Sequence, residues 1–264
     1  MKMNLGLMSC AVALAVAGAL AATPASAGDW FKREAAGSIK DAPMAESSGR
    51  SLEWSVNGGF TTDYVFRGFS QNDGDPSYFA GADLSYGIAY VGIWGAKVDQ
   101  FFTASDFEYD IYGGIKPKLG PVEFDFGVIY YGYSNQTVNV NVDYWEFKAG
   151  ASTEFQKFSL GATYYYSPDY TFETGESHTI EGSLGYALPK VWVFDPSIDG
   201  TIGYNDVDLA GDYTYWNAGL SLAVEKLTLD FRYWDTDIDN DGLGLGGKNL
   251  ADERFVFTAT VALP

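Results

Sequence analysis

Hydrophobic and polar residues alternate along Leu52–Gln71. Leu52, Trp54, Val56, Gly58, Phe60, Thr62, Tyr64 and Phe66 form one set, and Glu53, Ser55, Asn57, Gly59, Thr61, Asp63, Val65 and Arg67 form the other. A period of two sends the two sets to opposite faces of a β-strand. One face suits hydrocarbon and the other suits water. The stretch predicts one long strand, well beyond the roughly five or six residues of a globular strand. That length and that two-faced character are what a membrane barrel uses.

The alternation recurs in Tyr78–Tyr86, Ile88–Val98, Phe107–Lys116, Val122–Tyr133, Tyr144–Thr153 and Lys157–Tyr166. It continues in His178–Ala187, Trp192–Asn205, Tyr213–Val224, Lys226–Trp234 and Glu253–Leu263. The expected fold is all-β, a transmembrane antiparallel β-barrel of about twelve strands, most near the ten or so residues that a tilted strand needs to cross a bilayer.

The connections support this reading. Tight links at Gly87, Lys116–Pro121, Glu154–Lys157, Ala187–Val191 and Glu225–Lys226 alternate with long acidic ones. The long ones are Phe69–Pro76, Asp99–Asp106, Ser134–Asp143, Ser167–Ser177, Asp206–Asp212 and Asp235–Asp252. Short turns and long loops are the periplasmic and extracellular ends of an outer-membrane barrel, and an even strand count returns both termini to the turn side. Lysines 116, 118, 157, 190 and 226 all fall at the tight turns. A soluble β-sandwich also has many short strands. It does not usually carry aromatic residues at both ends of an outward face, as Trp54 and Tyr64, Tyr78 and Tyr86, Phe124 and Tyr130, and Tyr164 do here.

What precedes the strands reads as a leader. Lys2, the apolar run Leu5–Leu20 and Ala25-Ser26-Ala27 make residues 1–27 a signal peptide. Its removal takes away Cys10, the only cysteine, so neither a disulfide nor a thiolate nucleophile is expected. Residues 28–50 read as a flexible periplasmic extension, or as a short helix near Trp30–Ile39 that plugs or caps the barrel formed by residues 51–264. With 35 Asp and Glu against 16 Lys and Arg, the chain lacks the basic face that nucleic acid requires.

The inward face carries the candidate chemistry. It collects Glu53, Asp63, Asp83, Glu108, Asp110, Glu123, Asp125, Glu146, Lys148, Glu181, Asp199, Asp230, Arg232 and Arg254, together with Arg67. Asp63, Arg67, Asp83, Glu108, Asp110, Glu123, Arg232 and Arg254 are the expected pore-lining set. A barrel of eight strands is filled by its side chains and one of 16–18 holds a channel, so about twelve predicts a narrow, hydrated pore. A plugged, salt-bridged interior is the alternative. Arg67, Arg232 and Arg254 are expected on one wall of the upper lumen, facing Asp83, Glu108, Asp110 and Glu123, with a weak cation preference; a local Arg67–Asp63 pair is the simpler possibility.

Two further features bear on chemistry. His178 is the only histidine, and no residue is fixed beside it as a nucleophile, so no enzyme is expected. Asp237, Asp239 and Asp241 sit in a D-x-D-x-D-G run that matches half a calcium loop, but Lys248 stands where the bidentate Glu would be. At most a weak calcium site in loop 235–252 is expected, and otherwise no cofactor.

Thr62-Asp63-Tyr64-Val65-Phe66-Arg67-Gly68-Phe69-Ser70-Gln71 resembles the signature of the TorF-type porins of proteobacterial outer membranes. Gly92-Ile93-Trp94-Gly95 with Val98-Asp99, and Glu108-Tyr109-Asp110-Ile111-Tyr112-Gly113, resemble segments that follow it in that family. The likeness runs from about Leu52 to the C-terminus. It implies a barrel in the cell outer membrane whose partners are outer-membrane lipid, lipopolysaccharide, the assembly machinery and small solutes. One departure is the end, Val261-Ala262-Leu263-Pro264, where such chains usually finish on an aromatic residue. The expected function is a channel for passive diffusion of small hydrophilic solutes; the alternative is a non-conducting structural or adhesive barrel. A barrel hydrolase is disfavoured by the missing relay.

Overall fold

The computed structural model describes residues 51–264 apart from 101–104, 137–138, 140 and 240–248. The leader, the 28–50 extension and Asp241 therefore lie outside the described residues. Twelve strands form the barrel: β1 (Leu52–Thr61), β2 (Ser77–Tyr86), β3 (Ala89–Gln100), β4 (Ser105–Ile115), β5 (Val122–Tyr133) and β6 (Tyr144–Phe155). They continue as β7 (Phe158–Ser167), β8 (Ser177–Ala187), β9 (Asp195–Val207), β10 (Gly211–Val224), β11 (Leu227–Thr236) and β12 (Arg254–Leu263). Each strand pairs antiparallel with its neighbours in sequence. β1 closes the ring on β12, with Phe60 opposite Ala259 on one side and Tyr78 on the other. Closure leaves no edge strand to pair with another chain, and it satisfies every ladder within the molecule.

The period of two divides the surfaces as expected. Leu52, Tyr78, Ile93, Ile111, Phe147, Ile180, Leu184 and Ile202 all point outward and stay exposed. So large an apolar surface would drive aggregation in water, whereas a bilayer matches it. Trp54 and Tyr86 lie outward near the turn end, and Tyr78, Tyr164 and Phe255 near the loop end, which makes two aromatic girdles. The barrel is a membrane-spanning one.

Three expectations are corrected. The long first strand ends at Thr61, and residues 62–71 turn into the lumen. Tyr64 and Phe66, expected on the lipid face, are instead buried. The link at Asp206–Asp212 is not a long loop; Val207 pairs directly with Gly211 across a turn of residues 208–210. The link before β9 is longer than expected, because the strand begins at Asp195 and the bridge Val191–Phe194 forms a small turn of its own.

Lys118 belongs to a turn between β4 and β5, whereas Asp239 follows β11 at the opposite end. A cysteine replacing Asp239 should therefore react with an impermeant thiol reagent on whole cells, and one replacing Lys118 should not. The reverse pattern would invert the topology.

Candidate functional site

The site begins with a sequence that cannot remain a two-faced strand. Tyr64, Val65 and Phe66 are contiguous and apolar, so both faces of this stretch seek burial; only the lumen offers that. Arg67 and Gly68 both have positive φ, 45° and 88°. Two such residues in a row make the two-residue turn favoured in hairpins. Val65 accordingly pairs with Ser70, and Phe66 with Phe69, in a short hairpin folded back inside the barrel.

The backbone fixes the hairpin at its base. The Gln71 amide donates to the Tyr64 carbonyl at 2.6 Å, the Ser70 amide to Leu250 at 2.9 Å, and the Asp99 amide to the Gln71 carbonyl at 3.1 Å. Aromatic packing fixes the flanks. Tyr64 lies 5.6 Å from Trp94, and Phe69 meets Tyr213 edge-on at 5.2 Å.

Charge pairs complete the anchoring. Asp63 takes a hydrogen bond from the Ser70 hydroxyl at 2.7 Å and an ion pair from Arg254 at 2.8 Å. Arg67 reaches the far wall, where its two terminal nitrogens donate to both oxygens of Glu146 at 2.7 and 3.1 Å. Both side chains are all but fully buried, at 2% and 1% exposure. A planar fork meeting a carboxylate is the strong form of this interaction. The Tyr64 hydroxyl donates to Glu108 on β4 at 3.2 Å.

The expected pore-lining residues all lie inside the barrel, in separate groups. Asp63 and Arg254 sit at the hairpin base, Arg67 at its tip, and Glu108 and Asp110 on the β4 wall. Asp83 accepts from the Tyr112 hydroxyl at 2.6 Å, and Glu123 pairs with Lys118 at 3.3 Å at the turn end. Arg232 is held between Asp199 at 2.8 Å and Asp230 at 3.1 Å. The three arginines thus do not share one wall, and Arg67 does not pair with Asp63. Strand parity keeps Arg67 on β1; the hairpin carries it across the lumen instead. Glu146 was recognised as inward, but its partner was not. The Arg67-Gly68 pair flanked by Phe66 and Phe69 is the signal the sequence offers.

A second charged cluster lies on the β5–β6 wall, where Lys148 meets Asp125 at 2.7 Å and Tyr90 donates to the same carboxylate at 2.7 Å. Below the hairpin the wall changes character. Asn57, Ser152, Ser159, Gly161, Thr163 and Ser183 face inward and remain partly exposed. This partly exposed surface is confined to β1 and the β6–β8 wall; at the same end of the other strands Asp83, Asp125, Ser221, Thr228 and Thr260 are buried.

The remaining candidates separate. Ser177 faces inward and donates to Asn205 at 3.2 Å, whereas its neighbour His178 is exposed on the outer face, 2.6 Å from the Tyr164 hydroxyl. Adjacent residues on opposite faces of a strand cannot form a relay. Asp237 accepts from the Thr214 amide at 2.8 Å, and among the described residues no metal-ligating cluster occurs.

Solved structures place this fold among porins. The chain aligns with the KdgM porin at a TM-score of 0.54 and 9% identity, covering 80% of this chain and 98% of that one. A KdgM porin in complex with disordered oligogalacturonate gives 0.55 and 8%, with 80% and 100% covered. The NanC porin gives 0.51 and 14%, again covering 80% and 100%. No curated protein matches in sequence. At these identities the likeness establishes the barrel and nothing finer. Residues 45–262 match a family described as a bacterial protein of unknown function, Gcw_chp, and the chain belongs to that family.

Proposed function

We propose that this chain is a porin-like channel of the outer membrane for small hydrophilic solutes, seen with the hairpin closing its upper lumen. The resemblance of the 62–71 motif to TorF-type porins supports this reading. The observation that carries the proposal is the wall below the hairpin. A barrel serving only as an anchor gains nothing from inward Gly, Ser, Thr and Asn left partly exposed, whereas a solute path needs such a hydrated vestibule. Carboxylates outnumber basic groups inside, with Glu53, Asp83, Glu108, Asp110 and Glu181 among them. A lumen of that sign disfavours acidic oligosaccharides of the kind bound by the KdgM structure and favours neutral or cationic solutes.

Planar-bilayer recording tests this. Discrete openings whose reversal potential in a salt gradient shows a weak cation preference are expected. A barrel that stays silent at every voltage, even after the hairpin is released, would favour the second reading, a non-conducting structural barrel. That reading draws its support from Arg67, Glu108 and Glu146, which are almost wholly buried.

A further inference from the structure

Glu146, Tyr131 and Tyr165 project from three neighbouring, hydrogen-bonded strands, β6, β5 and β7. The Tyr131 hydroxyl donates to Oε2 of Glu146 at 2.9 Å and so orients the carboxylate. Tyr165 lays its ring against the same point, with the Arg67 guanidinium carbon 4.8 Å from its centroid. A carboxylate that takes a planar cation through both oxygens, beside an aromatic face, is the combination that recognises guanidinium.

The wall supplies all of this without the hairpin. The strands hold the three side chains in place by a ladder that does not depend on residues 62–71. Arg67, by contrast, arrives on the tip of a two-residue turn. It is a ligand on a tether.

We propose that Glu146, Tyr131 and Tyr165 form a binding site for small solutes bearing a guanidinium or primary ammonium group. Arg67 occupies the site as an intramolecular stand-in, and such solutes open the lumen by displacing it. The inference rests on the channel reading above and names its solute class. A group on a short flexible tether competes at an effective concentration of order millimolar; the anchored base of the hairpin raises that figure for Arg67, so the free cation is titrated upwards from about 10 mM. The vacated upper lumen keeps Glu108 and Asp110 on its wall, which suits a cation passing through.

The test uses the full-length barrel in planar bilayers, with agmatine, sodium chloride or potassium glutamate added on the loop side at equal ionic strength. Agmatine should raise the open fraction several-fold over both salts. Glu146→Gln should be open without any probe, and agmatine should add nothing to it. Where Glu146→Gln fails to assemble, as judged by its heat-dependent gel shift, Tyr165→Leu serves instead. It keeps the ion pair but removes the aromatic face, and it should weaken the agmatine response. Equal responses to agmatine and sodium, or an undiminished response in Tyr165→Leu, overturn the inference while leaving a conducting wild-type channel in place. Silence of every variant under all conditions removes the channel reading as well.

Discussion

Glu146→Ala is expected to release the hairpin from the lumen and convert a mostly closed barrel into a mostly open one. Glu146 is the bidentate partner of Arg67, and both are nearly inaccessible to water. Removing one member of a buried pair leaves the other charge uncompensated, a loss of about 3–5 kcal/mol. The barrel does not have to unfold to relieve it, because twelve ladders hold the wall independently of the hairpin. Residues 62–71 are able to relieve it by moving towards water at the loop end, against the cost of exposing Tyr64, Phe66 and Phe69. Each 1.4 kcal/mol of the loss that this cost does not offset raises the open-to-closed ratio about tenfold. Single-channel open fraction measures it, and protease cleavage near Arg67 gives a second readout. Arg67→Glu should act the same way, since it sets two carboxylates against each other. Combining Arg67→Glu with Glu146→Arg should restore the closed state. If the exchanged pair stays as open as either single variant, the ion pair is not what holds the hairpin.

Gly68→Ala should act in the same direction through sterics alone. Gly68 has φ +88°, and a Cβ there would run into the Thr236 methyl and come within 3.1 Å of the Tyr215 Cβ. The left-handed conformation costs a non-glycine residue about 1–2 kcal/mol. Overpacking against two wall strands adds about 1–3 kcal/mol. Both penalties vanish when the tip leaves the wall, so the hairpin-in state alone is disfavoured. Gly74 provides the control. It has φ +82° in the same loop, but a Cβ there meets nothing within 4 Å. Gly74→Ala should therefore leave the open fraction near wild type while Gly68→Ala raises it. Equal effects would mean that loop strain, and not the seating of the tip, governs closure.

These two substitutions act on a segment that local pattern alone misassigns. Through Thr61 the alternation of β1 is unambiguous, and its inward Glu53, Ser55 and Asn57 and outward Leu52 and Trp54 lie where a period of two puts them. Beyond Thr61 the alternation continues formally, through Tyr64 and Phe66, but it no longer reports a face. Inside a barrel lumen an apolar side chain is as well buried as on the lipid side, so hydrophobicity cannot tell inward from outward there. The positive φ of Arg67 and Gly68 decides the direction, and the wall aromatics supply the seat.

The same limit explains the charges. Which residues face inward follows from strand parity, and Asp83, Glu108, Asp110, Arg232 and Arg254 all obey it. Which charge meets which depends on distances across the barrel. Arg67 and Glu146 are separated by 79 positions, and Asp63 and Arg254 by 191, yet each pair is in contact.

By itself, then, the sequence determined the twelve strands, their two faces and the alternation of turns and loops, because each rests on contacts within a few residues. Two links are exceptions: the acidic Asp206–Asp212 resembles a loop until Val207 and Gly211 pair, and Val191–Phe194 forms a turn of its own before β9. The hairpin that fills the upper lumen and the pairing of Arg67 with Glu146 came from tertiary structure. They depend on bringing opposite walls of the barrel together, and no local period encodes that distance.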